Sequence, residues 1–323
     1  MGRHRKERPE LDATDSRGFG ARACGYLKKL EVKGYSAHTL IKRRNALCIF
    51  IRWCHECGVY RPEDVTRVLL ERYQRWAFAH RTAEGKPWRV TYQSDLLGTV
   101  RLFFGWMAKN NWVLFNPGAE LELPRIDKKL PQYVLTTKEV EQVMVQPDLA
   151  SPAGLRDRAM LETLYSTGMR RAELVNLGVY DVQMEQGTVV VRQGKGKKDR
   201  VVPIGERALL WIRKYLCDGR PYLLDRRTEC GALFLTSAGM RFQPNVVSAN
   251  LHRHMVAAGV GKKGACHIFR HTAATLMLEN GADVRFIQQM LGHEQVTTTE
   301  VYTAVSIKAL RQVHAATHPG LKK

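Results

Sequence analysis

Residues 267–278, "HIFRHTAATLML", place two histidines and an arginine at the start of a largely apolar helix. His267 and Arg270 are three residues apart and share one helical face, while Ile268 turns toward a core. His267 and His271 have the spacing of a helical zinc pair, but Ile268 stands where such motifs carry a glutamate. An arginine between two ligands would also repel a dication. The stretch therefore disfavours a metal site and leaves core packing and phosphate binding open.

The overall charge narrows the choice of partner. The 323-residue chain carries 51 lysines and arginines against 31 aspartates and glutamates, a formal net charge of +20. Such an excess favours a polyanionic partner, because lysine and arginine displace counterions from phosphates. DNA or RNA is the first expectation, although ribosome-associated and membrane-surface proteins are also basic. The charge indicates a class of partner and no activity.

The composition predicts a protein without membrane spans or disulfides. No apolar run of about 18 residues occurs, and residues 1–22 lack the apolar segment of a secretory signal, so we expect a cytoplasmic protein. The seven cysteines are an odd number in a chain without such a signal, which favours reduced thiols. Cys54 and Cys57 form a CxxC pair, but no second pair lies nearby, so packing is favoured over zinc or redox chemistry.

The first part of the chain is predicted to be a helical domain. Between residues 23 and 115 apolar residues recur at helical spacing, with almost no strand-like run. The segment "SAHTLIKRRNALCIFIRWC", residues 36–54, predicts a helix that Ser36 caps. Its apolar face consists of Leu40, Leu47, Phe50 and Ile51. Further helices are predicted over "VTRVLLERYQRWAFAH" and "WRVTYQSDLLGTVRLFFGWMAKNNW".

A proline-marked linker follows the helical domain. Pro117, Pro124 and Pro131 recur without an apolar period, which is typical of an extended segment. The predicted organisation is a basic N-terminal extension over residues 1–22, a helical domain over 23–115, a linker over 116–130 and a second domain over 131–323.

The second domain is predicted to be mostly helical with a small antiparallel sheet. The segment "GLRDRAMLETLYSTGMRRAELVNL" gives two helices separated at Gly168. The segment "TVVVRQGKGKKDRVVPI" gives strands over residues 189–192 and 201–204 joined by a Gly-Lys turn. A second short hairpin is expected in "LFLTSAGMRF", and the pattern returns to helices after Pro244.

Polar residues follow the break at Gly168 and the hairpin turn. Arg170 can point its guanidinium at a phosphate while Glu173, one turn later, fixes its orientation. On this fragment alone an ordinary surface ion pair is the favoured interpretation. Lys195 lies at the tip of a Gly-Lys-Gly turn, where it is either a proton donor or a solvated turn lysine.

Residues 280–305, "NGADVRFIQQMLGHEQVTTTEVYTAV", hold the densest run of such groups. Asp283 is expected to cap a helix that Gly292 ends, with His293 following on an exposed corner. A Thr-Thr-Thr-Glu capping box then predicts a second helix with Tyr302 in its first turns. Tyr302 is either a half-buried aromatic residue or a nucleophile whose proton is removed with help from positive neighbours.

Five segments together resemble the tyrosine site-specific recombinases of the lambda-integrase family, most closely their Xer-like branch. They are "TGMRRAEL", "GKGKKDRVVPI", "HIFRHTAATLML", "LGHEQVTTTEVYT" and the weaker N-terminal "SAHTLIKRRNALCIFIRW". The resemblance spans nearly the whole chain in the family's order. It implies a helical, SAM-like core-binding domain and a mixed α/β catalytic domain that close around duplex DNA as a C-shaped clamp. The catalytic set that it implies is Arg170, Lys195, His267, Arg270, His293 and Tyr302.

The resemblance also implies a mechanism. Tyr302 attacks a scissile phosphodiester to form a 3′-phosphotyrosine, while Lys195 protonates the leaving 5′-oxygen. Arg170 and Arg270 balance the charge on the non-bridging oxygens, helped by the two histidines of the set. His271 is expected to support or orient its neighbours. No metal, ATP or other cofactor is expected, and no GxxxxGK[ST] motif occurs.

The implied partner is double-stranded DNA with inverted-repeat recombination sites. Lys42, Arg43 and Arg44 are candidates for DNA contacts. The resemblance implies a tetramer on DNA, made of this chain alone or shared with a second related recombinase. The expected role is either dimer resolution or integration and excision of a mobile element. An integron-type role is disfavoured, because the interval from Lys195 to His267 is compact.

Three rival functions remain open from the sequence. The same catalytic residues serve type IB topoisomerases, which relax DNA without exchanging strands, but the recombinase-like N-terminal domain disfavours them. A catalytically inactive DNA-binding regulator would not need the complete catalytic set. A metal-dependent nuclease or transposase would lose its activity in EDTA.

Overall fold

The structure is a computed structural model that describes residues 11–126, 134–192, 199–225, 230–262 and 264–292. The chain divides into two compact units, an N-terminal unit that ends at residue 128 and a C-terminal unit that begins at residue 129. This division falls inside the stretch 116–130 that the prolines mark. No helix in the described ranges is both long and apolar enough to cross a membrane.

Four long helices form the described part of the N-terminal unit: α1 (Phe19–Val32), α2 (Ala37–Glu56), α3 (Arg67–Ala79) and α4 (Val90–Lys109). The hydroxyl of Ser36 caps α2 as predicted, because it accepts a hydrogen bond from the N–H of Thr39 at 3.2 Å. Helix α1 begins before residue 23, since Phe19 is buried against Phe50 with ring centroids 6.0 Å apart. The helical unit thus reaches into the stretch assigned to a basic extension.

Aromatic side chains fill the core of the N-terminal unit. Phe50 packs edge-on against Tyr73 at 5.0 Å and against Phe104 at 5.9 Å. Each such pair contributes about 0.5–1.5 kcal/mol beyond the burial of its area. The predicted apolar face of α2 is confirmed, with Leu47, Phe50 and Ile51 buried and Leu40 half-buried.

The C-terminal unit is built around one central helix. Its helices are α5 (Thr137–Met144), α6 (Pro152–Thr167), α7 (Arg171–Asn176), α8 (Glu206–Asp218), α9 (Arg220–Leu223), α10 (Pro244–Ala257), α11 (Cys266–Glu279) and α12 (Val284–Leu291). Helix α6 is buried along most of its length and packs against α8 and α11. Its buried charges are paired, as in Arg158 with Glu162 at 2.9 Å, because an uncompensated buried charge is strongly destabilising.

The predicted hairpin is confirmed and is part of a three-stranded antiparallel sheet. The strands are β1 (Val182–Gln183), β2 (Thr188–Val191) and β3 (Arg200–Pro203), in the order β1-β2-β3. Val189 pairs with Val202, and both are buried. Strand β1 is not predictable from the sequence, because two residues are too few to show an alternating pattern.

The second hairpin expected in residues 233–242 is reduced to one bridge between Leu235 and Arg241. The backbone N–H and C=O groups that could extend a β-ladder form hydrogen bonds with other segments. The N–H of Leu233 donates to the carbonyl of Leu177 at 2.8 Å, and the carbonyl of Leu235 accepts from Arg156 at 3.0 Å. Tertiary hydrogen bonds therefore replace a second pair of strands.

Candidate active site

Three arginines converge on the C-terminal end of α12. The carbonyl groups of residues 290–292 belong to the last turn and its cap, where carbonyls lack partners within the helix. The bonds run from Arg200 Nε to Met290 at 3.2 Å, from Arg270 Nη2 to Leu291 at 2.8 Å and from Arg170 Nη2 to Gly292 at 3.1 Å. Cations at this end also interact favourably with the helix dipole. Hydrogen bonds therefore hold Arg170 and Arg270 against the last turn of α12 and its cap, which immediately precede His293 in the sequence.

Arg170 occupies the position just before α7 and is held by Glu173. Its backbone N–H and its Nη1 both donate to that carboxylate, at 2.8 Å and 2.9 Å. Glu173 is buried, so this is not the exposed surface pair that the fragment alone favours. The Arg170 side chain keeps 23% exposure. Within the described residues its fork bonds only to Glu173 and Gly292, which leaves N–H donors to meet an anion.

Arg200 holds the same carboxylate and was missed by the sequence analysis. Its Nη1 and Nη2 donate to the two oxygens of Glu173 at 3.0 Å and 2.7 Å, a bidentate pair. Burial acts to raise the pKa of Glu173, but the bonds from Arg200 and Arg170 outweigh it, so the pKa lies below its ordinary value. A sequence signal existed, because Arg200 and the buried Val202 share one face of β3.

Arg270 is buried, although it carries a charge. Its Nη1 donates to the carbonyl of Gly168 at 2.7 Å, and its Nη2 bonds Leu291 as described above. A buried guanidinium is tolerated when its donors are bonded. Arg270 therefore connects the end of α6 with the end of α12, while the nearby Ile268 is buried as predicted.

His267 lies in the first turn of α11, and its side chain is exposed at the surface. Partial loss of water around the ring, together with the positive charges of Arg171, Arg270 and Arg170, lowers its pKa. The fold thus brings His267 near the two predicted arginines. One turn later, His271 is half-buried, and burial, His267 and Arg270 lower its pKa.

Lys195, His293 and Tyr302 lie outside the described residues. The described residue nearest to His293 and Tyr302 in sequence is Gly292, whose carbonyl accepts a bond from Arg170. Gly292 ends α12 in the left-handed conformation, with φ of 65°, directly before His293. Strands β2 and β3 flank the segment that contains Lys195. The roles of these three residues stay predictions.

The three predicted DNA contacts lie on α2 and bond to neighbouring groups. The ammonium group of Lys42 is exposed and lies 2.9 Å from a carboxylate oxygen of Asp95 on α4. Arg43 is half-buried and donates to the hydroxyl of Thr99 at 2.8 Å. Arg44 is half-buried and interacts with the thiol of Cys48. Their contacts with DNA stay predictions.

A basic groove on the N-terminal unit was not found from the sequence. It lies beside α1 and α4, and its cationic lining consists of Lys29, Lys33, Arg43, Arg101 and Lys109. Aromatic rings are interleaved with these charges, since the ammonium of Lys29 lies 5.7 Å from the ring centroid of Trp106. The available signal was the four-residue spacing between Lys29, in the last turn of α1, and Lys33, the residue that caps this helix.

Gly168 ends α6, and its carbonyl accepts a hydrogen bond from Arg270. We expect Gly168→Ala to destabilise the C-terminal unit. Its φ is 59°, and an added Cβ would lie 2.7 Å from Cδ2 of Leu291. The free energy of unfolding should fall by roughly 2–5 kcal/mol. A non-glycine residue in the left-handed conformation costs about 1–2 kcal/mol, and overpacking costs about 1–3 kcal/mol more. Urea unfolding measures this loss.

Gly231→Ala is the matched control for Gly168→Ala. Gly231 has a similar φ of 61°, but an added Cβ would meet nothing within 4 Å. We expect it to lose only the backbone contribution of about 1–2 kcal/mol. Equal losses in the two variants would show that the approach of Leu291 to Gly168 does not matter.

The imidazole of His267 is expected to titrate below its ordinary pKa of 6.5. Protonation is then weaker in the folded chain than in the unfolded chain, so His267 reduces stability as the pH falls below about 6.5. Ring resonances followed by NMR, with the urea-unfolded chain as reference, measure the difference. A folded ring that titrates at or above the unfolded value would contradict the expected electrostatic effect of the arginines.

The geometry defines a cluster of arginines at the end of α12, in a mostly helical unit with a small antiparallel sheet. The model of the phage integrase family matches residues 133–308. Tyrosine recombinase XerC 2 of Ralstonia nicotianae is 49% identical over 294 residues, covering 91% of this chain and 84% of the relative. Tyrosine recombinase XerD of Pseudomonas putida is 37% identical over 287 residues, covering 89% and 93%.

A solved structure supports the same fold. The crystal structure of a lambda integrase tetramer bound to a Holliday junction matches with a TM-score of 0.66 and 19% identity, covering 93% of this chain and 81% of that chain. The chain belongs to the phage integrase family and is a tyrosine recombinase with Xer relatives. The predicted family and fold class are confirmed.

Proposed function

We propose that this chain is a site-specific DNA recombinase that cuts and rejoins duplex DNA through a 3′-phosphotyrosyl intermediate at Tyr302. The observation that carries the proposal is the convergence of Arg170, Arg200 and Arg270 on the end of α12, with His267 close to two of them. Fixed cations and N–H donors suit a phosphodiester, because its transition state concentrates negative charge on the non-bridging oxygens.

Arg170 and Arg270 bind the non-bridging oxygens of the scissile phosphate in this proposal. Glu173 orients Arg170, since it bonds both the backbone and the side chain of that residue. His267 and His293 donate further hydrogen bonds to the same oxygens. Because Arg170 and Arg270 are held by hydrogen bonds before DNA binds, these two groups need little reorganisation during the reaction.

Strand cleavage and rejoining are two transesterifications. Tyr302 loses its phenolic proton to water, its oxygen forms a bond to phosphorus, the bond from phosphorus to the 5′-oxygen breaks, and Lys195 gives a proton to that oxygen. In the second step the oxygen of a 5′-hydroxyl from another strand bonds to phosphorus and gives its proton to the Lys195 amine. The bond from phosphorus to Tyr302 breaks, and the leaving phenolate takes a proton from water. The number of phosphoester bonds is unchanged, so the reaction needs no ATP.

DNA binding is assigned to both units. The N-terminal unit supplies Lys42, Arg43 and Arg44 together with the basic groove beside α1 and α4. Lysines and arginines on phosphates position the protein, while side chains in the major groove read bases. The formal net charge of +20 supports this assignment. We therefore expect binding that weakens steeply as the salt concentration rises.

The relatives support a proposal for the assembly on DNA and leave two candidate biological roles. A lambda integrase with this fold is described as a tetramer on a Holliday junction, and we propose a tetramer on inverted-repeat sites for this chain. The XerC and XerD relatives leave two assemblies, one of this chain alone and one with a second related recombinase. Dimer resolution and mobile-element integration or excision are the two candidate roles. We propose a cytoplasmic location, which suits a protein that acts on DNA.

Covalent trapping tests the proposed function. The intact protein is mixed, in EDTA and without ATP, with duplexes that carry candidate inverted repeats and a nick near the cleavage point. Cleavage releases a short 5′-hydroxyl fragment, so a protein–DNA adduct that resists denaturant accumulates. We expect an adduct on at least one site and recombination between two copies of it.

The alternatives predict other outcomes of the same trapping experiment. Relaxation of supercoiled DNA without recombination would indicate a topoisomerase-like enzyme. Specific binding without an adduct would indicate an inactive regulator. Cleavage that needs a divalent metal would indicate a nuclease or transposase. Absence of an adduct on every site would refute the proposal.

A further inference from the structure

The carboxylate of Glu173 is shared between two arginines, only one of which belongs to the proposed catalytic set. Arg170 gives it one side-chain bond, at 2.9 Å, whereas Arg200 gives it two, at 3.0 Å and 2.7 Å. Glu173 is buried, and the Arg200 side chain is 15% exposed. Two guanidinium cations and one carboxylate leave one net positive charge in this triad. Arg200 therefore supplies two of the three side-chain bonds to the carboxylate, and the backbone N–H of Arg170 supplies a fourth bond.

Arg200 has a second attachment, at the end of α12. Its Nε donates to the carbonyl of Met290 at 3.2 Å. Its guanidinium also lies under Gly292, where an added Cβ would come within 3.2 Å of the guanidinium carbon. The same side chain therefore contacts the carboxylate that orients Arg170 and the backbone to which Arg170 bonds.

We propose that Arg200 is a positioning residue that offsets the charge of Glu173 and so leaves Arg170 its positive charge for the scissile phosphate. Without Arg200, the buried carboxylate would pair with Arg170 alone, and their charges would cancel. Arg170 would then be drawn toward Glu173 and would bind an anion weakly. This inference rests on the proposed function, because it assigns Arg170 to the phosphate.

Three variants of the full-length protein test the inference by the rate of adduct formation on the nicked substrate. Arg200→Gln should slow cleavage by about 10–100-fold, less than the roughly 10²–10³ lost with a direct oxyanion donor. Arg200→Lys keeps the charge without the fork and should fall between Arg200→Gln and the unchanged protein. The double variant Glu173→Gln/Arg200→Gln also removes the negative charge that Arg200 offsets. It should cleave at least about fivefold faster than Arg200→Gln.

Arg207→Gln is the matched control for loss of a carboxylate-bound arginine. Arg207 also binds a buried glutamate, because its Nε lies 2.9 Å from Glu162, but it belongs to α8 and not to the site. It should lose stability without losing cleavage. Thermal unfolding and DNA affinity are measured for every variant. Cleavage rates are then compared under conditions in which all variants are folded and bound to DNA to the same extent.

The outcomes separate this inference from the proposed function. If the unchanged protein forms no adduct, the proposed function fails and the inference fails with it. If the unchanged protein forms the adduct and Arg200→Gln cleaves within about twofold of it, the role of Arg200 alone is refuted. A double variant no faster than Arg200→Gln also refutes it, because a merely structural Arg200 would not be rescued by neutralising Glu173.

Discussion

Tyr302→Phe is expected to abolish covalent attachment of the protein to DNA. Phenylalanine keeps the ring and removes the oxygen that would form the bond to phosphorus, so no phosphotyrosine can form. The rate of adduct formation should fall by at least about 10⁴-fold, as for other removed nucleophiles. The measurement is a denaturing gel of the nicked substrate after incubation in EDTA.

Binding and a second tyrosine provide the controls for Tyr302→Phe. Its affinity for the same duplex should stay within about threefold of the unchanged protein, since one hydroxyl contributes little to binding that is dominated by many phosphate contacts. Tyr180→Phe removes a phenol that is 94% exposed elsewhere in the C-terminal unit and should leave cleavage unchanged. An adduct formed by Tyr302→Phe would mean that another residue is the nucleophile.

Local patterns were sufficient to predict most helices and the hairpin. The face of α2, the cap at Ser36 and the pairing of β2 with β3 each follow from spacing within about twenty residues. The break at Gly168 was predictable because a left-handed residue favours glycine. These features depend on side chains that are neighbours in sequence, so one sequence suffices to predict them.

Contacts between distant segments were not predictable in the same way. The bonds from Arg200 to Glu173 and to Met290 join residues that lie 27 and 90 positions apart. No spacing rule connects such positions, and only the packed fold brings them together. The limitation of the second hairpin to one bridge has the same cause, since Arg156 donates to the carbonyl of Leu235 across 79 positions. Periodicity predicts elements, whereas the packing of the elements decides which polar groups meet.

The sequence predicted which residues form the candidate site better than it predicted their arrangement, because the resemblance supplied the residues and not their contacts. Arg170, His267 and Arg270 come close together in the structure. Glu173 contacts Arg170, but its burial and its sharing with Arg200 could not be predicted from the interval of three residues. Lys195, His293 and Tyr302 are assigned by resemblance alone, so mutation has to test them.

Arg170→Lys is expected to slow adduct formation by about 10²–10³-fold, the usual effect of losing one donor to a developing oxyanion. Lysine keeps the charge but cannot bond Glu173, Gly292 and a phosphate oxygen from one planar fork. Single-turnover rates with saturating DNA measure the loss in the chemical step. DNA affinity should change little, because one phosphate contact among many carries a small share of binding.

The size of the Arg170→Lys effect discriminates between orientation and charge. If positive charge alone were required, lysine would restore most of the rate, and a fall of less than about tenfold would refute a role for the guanidinium fork. Arg207→Lys is the matched control, since Arg207 also bonds a buried carboxylate and lies outside the site. Both variants should lose similar stability in urea, while only Arg170→Lys should lose cleavage. That contrast would assign the loss to the geometry that Glu173 and the end of α12 impose on Arg170.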